Sequence, residues 1–309
     1  MKETHGYILI CLASIIWGTL GIFGKLAFEF GIRPETLIAL RLSISSLTIF
    51  IPVNFFKNEL FKIQKKDSLK FLVLGIFATA FQRVTYFYAF DLTTAAIAAI
   101  LIYTYPLFVI VYSSLFLKEK IIPSIVLAAI LTFSGVLLVL KVYGVSWLST
   151  SPFGVILGVV SSILFAAYFL IIKSLRNHYT NWTLILYADG IGALTLTPII
   201  FASFPEVFNY TQQLWLLILA IAWFPSLMAY LIYSYALKHV QASKGSILSV
   251  IEPLSTAIFA ATILSEAFEP LQIVGVALAL TGVVLLLYRP RFKSKIDKIQ
   301  DQKELPAGS

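Results

Sequence analysis

Residues 86–140 read YFYAFDLTTAAIAAILIYTYPLFVIVYSSLFLKEKIIPSIVLAAILTFSGVLLVL, and the chain writes this pattern twice. Shifted by 233 − 86 = 147 residues, Tyr86-Phe87-Tyr88-Ala89 falls on Tyr233-Ser234-Tyr235-Ala236. In the same ungapped register Ala95 meets Ala242, Ile100-Leu101 meets Ile247-Leu248, and Pro106-Leu107 meets Pro253-Leu254. Leu117 and Glu119 then meet Leu264 and Glu266, Pro123 meets Pro270, and Gly135-Val136 meets Gly282-Val283. Roughly 16 identities over about 55 positions mark an internal repeat, the feature that takes precedence in assigning a fold.

Both copies are too apolar for water. The 309 residues are 59% hydrophobic and 12% charged, with a mean hydropathy of +0.91. A soluble domain carries roughly 25% charged residues, so most of this surface faces lipid. The single Cys11 excludes a disulfide framework, and His5, His178 and His239 lie at segment ends, so no metal or cofactor site is expected.

Runs of about 20 apolar residues predict ten membrane-spanning helices, at 7–28, 35–56, 69–90, 93–117, 121–142, 152–173, 181–203, 212–237, 241–265 and 270–289. The first run has no positive n-region or small-residue cleavage site and reads as a retained helix. Residues 1–143 and 152–290 form the two repeats, and 291–309 a basic tail, either disordered or a short interfacial helix. With the N-terminus in the cytoplasm, that side receives 17 of the 23 Lys and Arg; Arg33 and Lys141 face the other side, and Lys25, Arg41, Arg83 and Lys244 lie within spans. This bias predicts a multi-pass plasma-membrane protein with both termini cytoplasmic. The net charge of +8 is therefore topology and requires no nucleic acid.

The repeat maps helix 4 onto helix 9. Five helices is an odd number, so equivalent helices cross in opposite directions, as in the inverted repeats of secondary transporters. The expected fold class is all-α: two inverted-topology five-helix repeats.

These residues resemble the EamA-type branch of the drug/metabolite transporter superfamily. The likeness is carried by Trp17-Gly18, Leu40-Arg41-Leu42, Tyr88-Ala89, Pro106 and Leu117 with Glu119 in the first half, and by Glu252-Pro253-Leu254, Leu264 with Glu266, Gly275 and Gly282-Val283 in the second. It covers residues 7–289, with one departure: Leu164-Phe165 stands where Trp17-Gly18 would repeat. The resemblance implies a central cavity lined by helices 1, 3, 4, 6, 8 and 9, and import or export of small metabolites, amino acids foremost, by alternating access.

Charges inside the hydrocarbon layer mark a pathway or a pair. Lys25, Arg41 and Arg83, with Gln82 beside the last, fall in the outer half of helices 1 to 3. If they face the cavity they suit a carboxylate or phosphate. Lys25 has an alternative role pairing with Glu29, and Arg41 pairing with Glu35 or loop carbonyls. On helix 9, Lys244, Ser249 and Glu252 fall on much the same face, and Pro253 should interrupt the helix there, as Pro106 should in helix 4. Glu252 is either a functional group open to proton coupling or the fixed partner of Lys244 or another cation. Asp189 on helix 7, beside Gly190 and Gly192, reads either as a proton relay or, since helix 7 is expected at the periphery, as a structural pairing. The candidate substrate-binding set is Trp17, Gln82, Arg83, Tyr86, Tyr103, Tyr105, Tyr168, Tyr230, Tyr233, Ser249 and Glu252. Tyr7, Tyr143, Trp147, Tyr179, Trp182, Trp215 and Tyr288 read as interfacial anchors. The spacings Ser14-x3-Gly18 and Gly154-x3-Gly158 read as close helix packing.

A secondary transporter of small organic solutes, with lipid as its solvent, is the reading that uses all of these features. A membrane-embedded enzyme would need clustered catalytic groups, and no His lies inside a span; a non-transporting scaffold would not need buried charges in both halves. Monomer and homodimer both stay open.

Overall fold

The computed structural model describes residues 3–56, 58–145, 150–263, 265, 267 and 269–287. Ten apolar helices follow in order: α1 (Glu3–Glu29), α2 (Pro34–Phe56), α3 (Lys65–Leu92), α4 (Ala95–Phe116), α5 (Pro123–Val139), α6 (Pro152–Leu175), α7 (Asn181–Ala202), α8 (Gln212–Ala236), α9 (Ala242–Ile263) and α10 (Pro270–Leu287). Among the described residues nine are long and apolar enough to cross a membrane; α5, at 17 residues, is the short one. Their starts are chemically marked. Thr94, Ser151, Thr180 and Thr211 accept backbone N–H groups at the openings of α4, α6, α7 and α8, and Pro123 and Pro152 occupy first turns where no N–H is needed. Trp147, Tyr288 and the tail 291–309 lie outside the described residues.

The two halves repeat their irregularities as well as their helices. α3 is π-helical over Val73–Phe81 and α8 over Ala222–Met228; 81 + 147 = 228. Lys118 (φ 54°) and Ser265 (φ 55°), both left-handed turns, are 265 − 118 = 147 apart. α4 breaks between Ala95–Ile102 and Tyr105–Phe116, and α9 between Ala242–Leu248 and Ile251–Ile263. Each break lies in the turn before a proline. Pro106 has no N–H for the Ile102 carbonyl, and the Ser162 hydroxyl on α6 donates to that carbonyl instead, at 3.2 Å.

Three contacts join equivalent parts and therefore lie on the axis relating the repeats. α2 packs on α7, the largest contact of either helix. α5 packs on α10 through small residues: a Cβ on Gly135 would meet Ala279 N and Gly275 O at 2.5 Å, and one on Gly282 would meet Thr132 Cγ2 at 2.7 Å. These two clashes are images of one another, since 279 − 132 = 147. The third is Arg83 with Tyr230, whose side chains meet across a separation of 147 residues. The small-residue spacings also mark close approaches: a Cβ on Gly18 would lie 2.7 Å from Ser255 Cβ, and one on Gly158 2.5 Å from Leu101 Cδ1.

Symmetry fails at α4 and α9. At the end that holds the N-terminus, the second half of α4 packs directly on the first half of α9. Ala242, Ser243, Gly245, Ser246, Ile247 and Leu248 are all buried there. The image contact, between Ala95–Ile102 and Ile251–Ile263 at the opposite end, has no comparable packing among the described residues. Glu119 reinforces the closed end: its carboxylate accepts from Ala242 N (2.7 Å), Ser243 N (3.1 Å) and Ser243 Oγ (2.7 Å), capping α9 of the other repeat.

Charges outside the core fix the ends. On the N-terminal side, Lys173 Nζ donates to Leu237 O at 2.6 Å, and Arg176 Nε to Ser234 O at 3.0 Å. Opposite them, Arg33 pairs with Glu206, and Glu269 receives Lys141 Nζ at 2.8 Å and the Tyr143 hydroxyl at 2.5 Å. These partners hold the Glu269 carboxyl below the usual glutamate range. Of the aromatic residues read as anchors, Trp182 is exposed, but Tyr7 and Tyr179 are buried at helix ends, where Tyr179 donates to Asp67 at 3.0 Å.

Candidate functional site

The centre of the bundle is aromatic. Trp17 on α1 lies 4.8 Å from Tyr230 and 4.9 Å from Tyr233, both on α8, between ring centroids. Tyr168 on α6 meets Tyr230 at 5.4 Å, and Tyr105 on α4 stacks on Phe169 at 5.2 Å. Phe169 also meets Tyr233 at 4.9 Å, and Phe165 meets Tyr105 at 4.7 Å. Phe169 is thus the hub of the cluster, with Phe165 one turn before it on the same face of α6. Their spacing of four, with the Phe165 that departs from the family pattern, was the available sequence signal.

The candidate residues divide by accessibility. Trp17, Tyr105, Tyr168, Tyr233 and Ser249 are at most 3% exposed and form the packed backing. Tyr86, Tyr103, Tyr230 and Glu252 keep accessible surface although they sit deep in the bundle, so they face its interior space. The Tyr103 hydroxyl lies near the Glu252 carboxylate. Tyr105 instead donates to Ser246 O at 3.3 Å, and Ser249 to Gly245 O at 3.0 Å. Gln82 turns away from this group: its amide donates to Ser161 Oγ at 3.1 Å, and Ser161 donates back to Gln82 O at 3.0 Å, tying α3 to α6.

Arg83 donates to its own helix at Thr79 O (2.8 Å) and to the Tyr230 hydroxyl (3.3 Å), with its guanidinium 5.6 Å from the Tyr230 ring centroid. Two groups read as structural pairings join it here. Arg41, 8% exposed, does not reach Glu35; its electrostatic neighbours are Arg83, Tyr230, Asp189 and Glu252. Asp189 is not peripheral, because α7 packs on both α2 and the π-helical part of α3. Its carboxylate accepts from Ser45 Oγ at 2.5 Å and senses Arg83 and Arg41.

Two other expectations are corrected. Lys244 does not share a face with Glu252, because α9 breaks between them; its ammonium bonds Glu3 (3.0 Å) and the Tyr7 hydroxyl (3.1 Å) at the helix end. Lys25 is exposed, so the cations gathered in the bundle are Arg41 and Arg83.

Several buried polar atoms converge without hydrogen-bond partners: Trp17 Nε1, Arg41 Nε, Arg83 Nε and the Tyr233 hydroxyl. Native interiors satisfy nearly all such groups. Together with the partly accessible tyrosines and Glu252, they make this region the candidate site, rich in donors and with one acidic acceptor. Among the described residues no cluster of His, Cys, Asp and Glu could hold a metal ion.

Comparison with known proteins agrees with this architecture. The model of the EamA-like transporter family matches residues 4–141 and again 152–288. A protein of Archaeoglobus fulgidus named as an uncharacterized transporter is 27% identical over 91% of this chain and 96% of its own length. The uncharacterized transporter YetK of Bacillus subtilis is 24% identical over 94% of this chain and 89% of its own. One solved structure shares the fold at a TM-score of 0.75, covering 91% of this chain and 97% of its own at 16% identity.

Proposed function

We propose, from the premise that this chain belongs to the EamA-like transporter family, that it carries small carboxylate-bearing metabolites, amino acids foremost, across the plasma membrane by alternating access. The chain is a transporter-family, multi-pass membrane protein; substrate, mechanism and sidedness are the steps taken here. The observation that carries the substrate class is the convergence of Arg41 and Arg83, with unpartnered Nε groups, on a half-accessible space. A guanidinium offers a planar donor fork that matches a carboxylate. The observation that supports alternating access is the broken symmetry of α4 and α9, packed at one end and parted at the other. Exchanging the conformations of two inverted repeats would close the open end and open the closed one. Both termini are assigned to the cytoplasm by the charge bias, and residues 1–143 and 152–290 are the two units that exchange.

Proton coupling, where it exists, falls to Glu252, which faces Tyr103 and Arg41. The groups at the centre serve binding, so the protein works as a carrier and not as an enzyme. Radiolabelled flux into proteoliposomes, over amino acids, organic acids, sugar phosphates and amines, tests the proposal. Saturable flux of a carboxylate-bearing solute that falls at least tenfold in Arg83→Ala supports it. Flux confined to amines or uncharged solutes contradicts the substrate class, and Glu252→Gln with unchanged pH dependence of flux contradicts coupling there.

A further inference from the structure

We infer that Glu119 is a one-sided latch: it holds the N-terminal end closed in the unliganded protein, because α9 has no side-chain cap of its own. The inference rests on the alternating-access reading above and adds what sets its resting state. The first amides of a helix have no partner within it, and α4 and α9 meet this need differently at equivalent positions. Thr94 precedes α4, and its hydroxyl accepts from Ile97 N at 3.2 Å. Its image is Gln241, since 94 + 147 = 241. Both residues are extended, and Ala98 N and Gly245 N reach back to Thr94 O and Gln241 O at the same 2.9 Å, yet the Gln241 side chain makes no cap.

α9 is capped instead from the other repeat, where the Glu119 carboxylate takes Ala242 N, Ser243 N and Ser243 Oγ. The hydroxyl bond has no counterpart, because Ser243 maps onto Ala96. Two features keep the partners in register. Leu117 N (3.0 Å) and Glu119 N (3.1 Å) both donate to Ser113 O around the left-handed Lys118, which fixes Glu119 just past the end of α4. Lys173 on α6 donates to Leu237 O at 2.6 Å and to Val240 O, which fixes the turn leading into α9; its image, Leu26, has no charge to do the same. A cation at the last carbonyls of α8 and an anion at the first amides of α9 each match the local helix dipole.

Place in the fold makes these bonds a latch. At the opposite end, Arg33–Glu206 ties the start of α2 to the segment after α7, and Lys141–Glu269 ties the end of α5 to the start of α10. Both join helix pairs on the axis, which an exchange of conformations between the repeats leaves together. Glu119 joins α4 to α9, the pair that packs at one end and is parted at the other. Opening the N-terminal end therefore strips α9 of its cap, whereas at the parted end α4 keeps Thr94. The two states differ in free energy before any solute binds, and the closed N-terminal end is the resting one.

The test reads the ratio of short to long distances between spin labels at Lys118 and Lys238, both exposed, in the full chain with Cys11→Ser in liposomes. Without solute the short distance should dominate. Glu119→Ala should lower the ratio at least about fivefold, the effect of losing a helix cap. Gln241→Asp should lower it by a similar factor with Glu119 intact, because α9 then carries its own anionic cap and two carboxylates compete for one helix end. Added to Glu119→Ala, Gln241→Asp should change the ratio less than twofold, since it caps α9 equally in both states. A purely structural role for Glu119 would lower the melting temperature and leave the ratio alone. A ratio within twofold of wild type in either single variant, or a further shift in the double variant, overturns the latch; Gln241→Asp decides if Glu119→Ala does not fold. If a solute that crosses in the flux assay lengthens the wild-type distance but the variants match unliganded wild type, the latch alone falls. If that solute leaves the wild type at one distance, alternating access falls with it.

Discussion

Tyr230 and Gln82 show how differently two polar residues near one centre are used. The Tyr230 hydroxyl is the acceptor for Arg83, and its ring meets Trp17 and Tyr168 edge to face. Tyr230→Phe keeps the ring and removes the acceptor, so flux should fall severalfold with little change in melting temperature, read by transport and thermal unfolding side by side. Gln82→Ala removes the buried bond from its amide to Ser161 Oγ, while the Ser161 hydroxyl keeps its bond to the residue 82 backbone carbonyl; it should cost about 1 kcal/mol of stability and leave ligand affinity of the folded protein within twofold. At this scale the sequence was only partly legible. Arg83 stood out because Tyr86 and Tyr88 surround it, but nothing local distinguished Arg41 from a residue paired with Glu35. Lys244 and Glu252 shared a face only on an unbroken helix. The break at Ser249 and Val250 rotates one away from the other, and helical spacing cannot see across it.

Helices were far more legible, because a bilayer admits few alternatives to apolar runs of helix length. Their starts and the proline-linked breaks of α4 and α9 followed from local chemistry. The π-helical stretches did not, since a π turn is a register choice made against α7 and α2 and leaves no fixed residue signature. Two predictions belong here. Gly135→Leu places a side chain where α10 backbone lies 2.5 Å from Cβ, so it should unfold α5 from α10, lowering the melting temperature by several degrees or preventing assembly; Gly144→Leu, with open space around it, is the control. Glu119→Gln weakens the cap on α9. In a Cys11→Ser background, a cysteine at the buried Ser246 should then react faster with a membrane-impermeant maleimide added from the N-terminal side; an unchanged rate would remove Glu119 from the closure.

For the molecule as a whole, the repeat predicted that the halves would be related by inversion, and the equal spacing of turns, breaks and on-axis contacts agrees with that. Sequence could not say in which state the molecule rests, because both states use the same residues. The end opposite the N-terminus carries a tie that responds to acid. Lys141 and Tyr143 hold the Glu269 carboxyl below its ordinary range, so the contribution of this tie is present above the unfolded glutamate value and lost as pH falls through the lower folded one. Lys141→Ala should therefore lower the melting temperature slightly at pH 7, and the difference from wild type should vanish in strong acid.

The proposed alternating access puts the two ends in opposite states, and one pair of distances tests it most directly. Lys118 and Lys238 lie at the N-terminal end, and Ser265 and Asp91 are their images at the other, since 118 + 147 = 265 and 91 + 147 = 238; all four are exposed. Spin labels placed on each pair in liposomes should report the shorter distance for Lys118–Lys238 in the unliganded protein. Adding a transported solute should populate a longer distance there and a shorter one for Asp91–Ser265, in equal proportion. Single distances at both ends that no transported solute shifts would contradict the account.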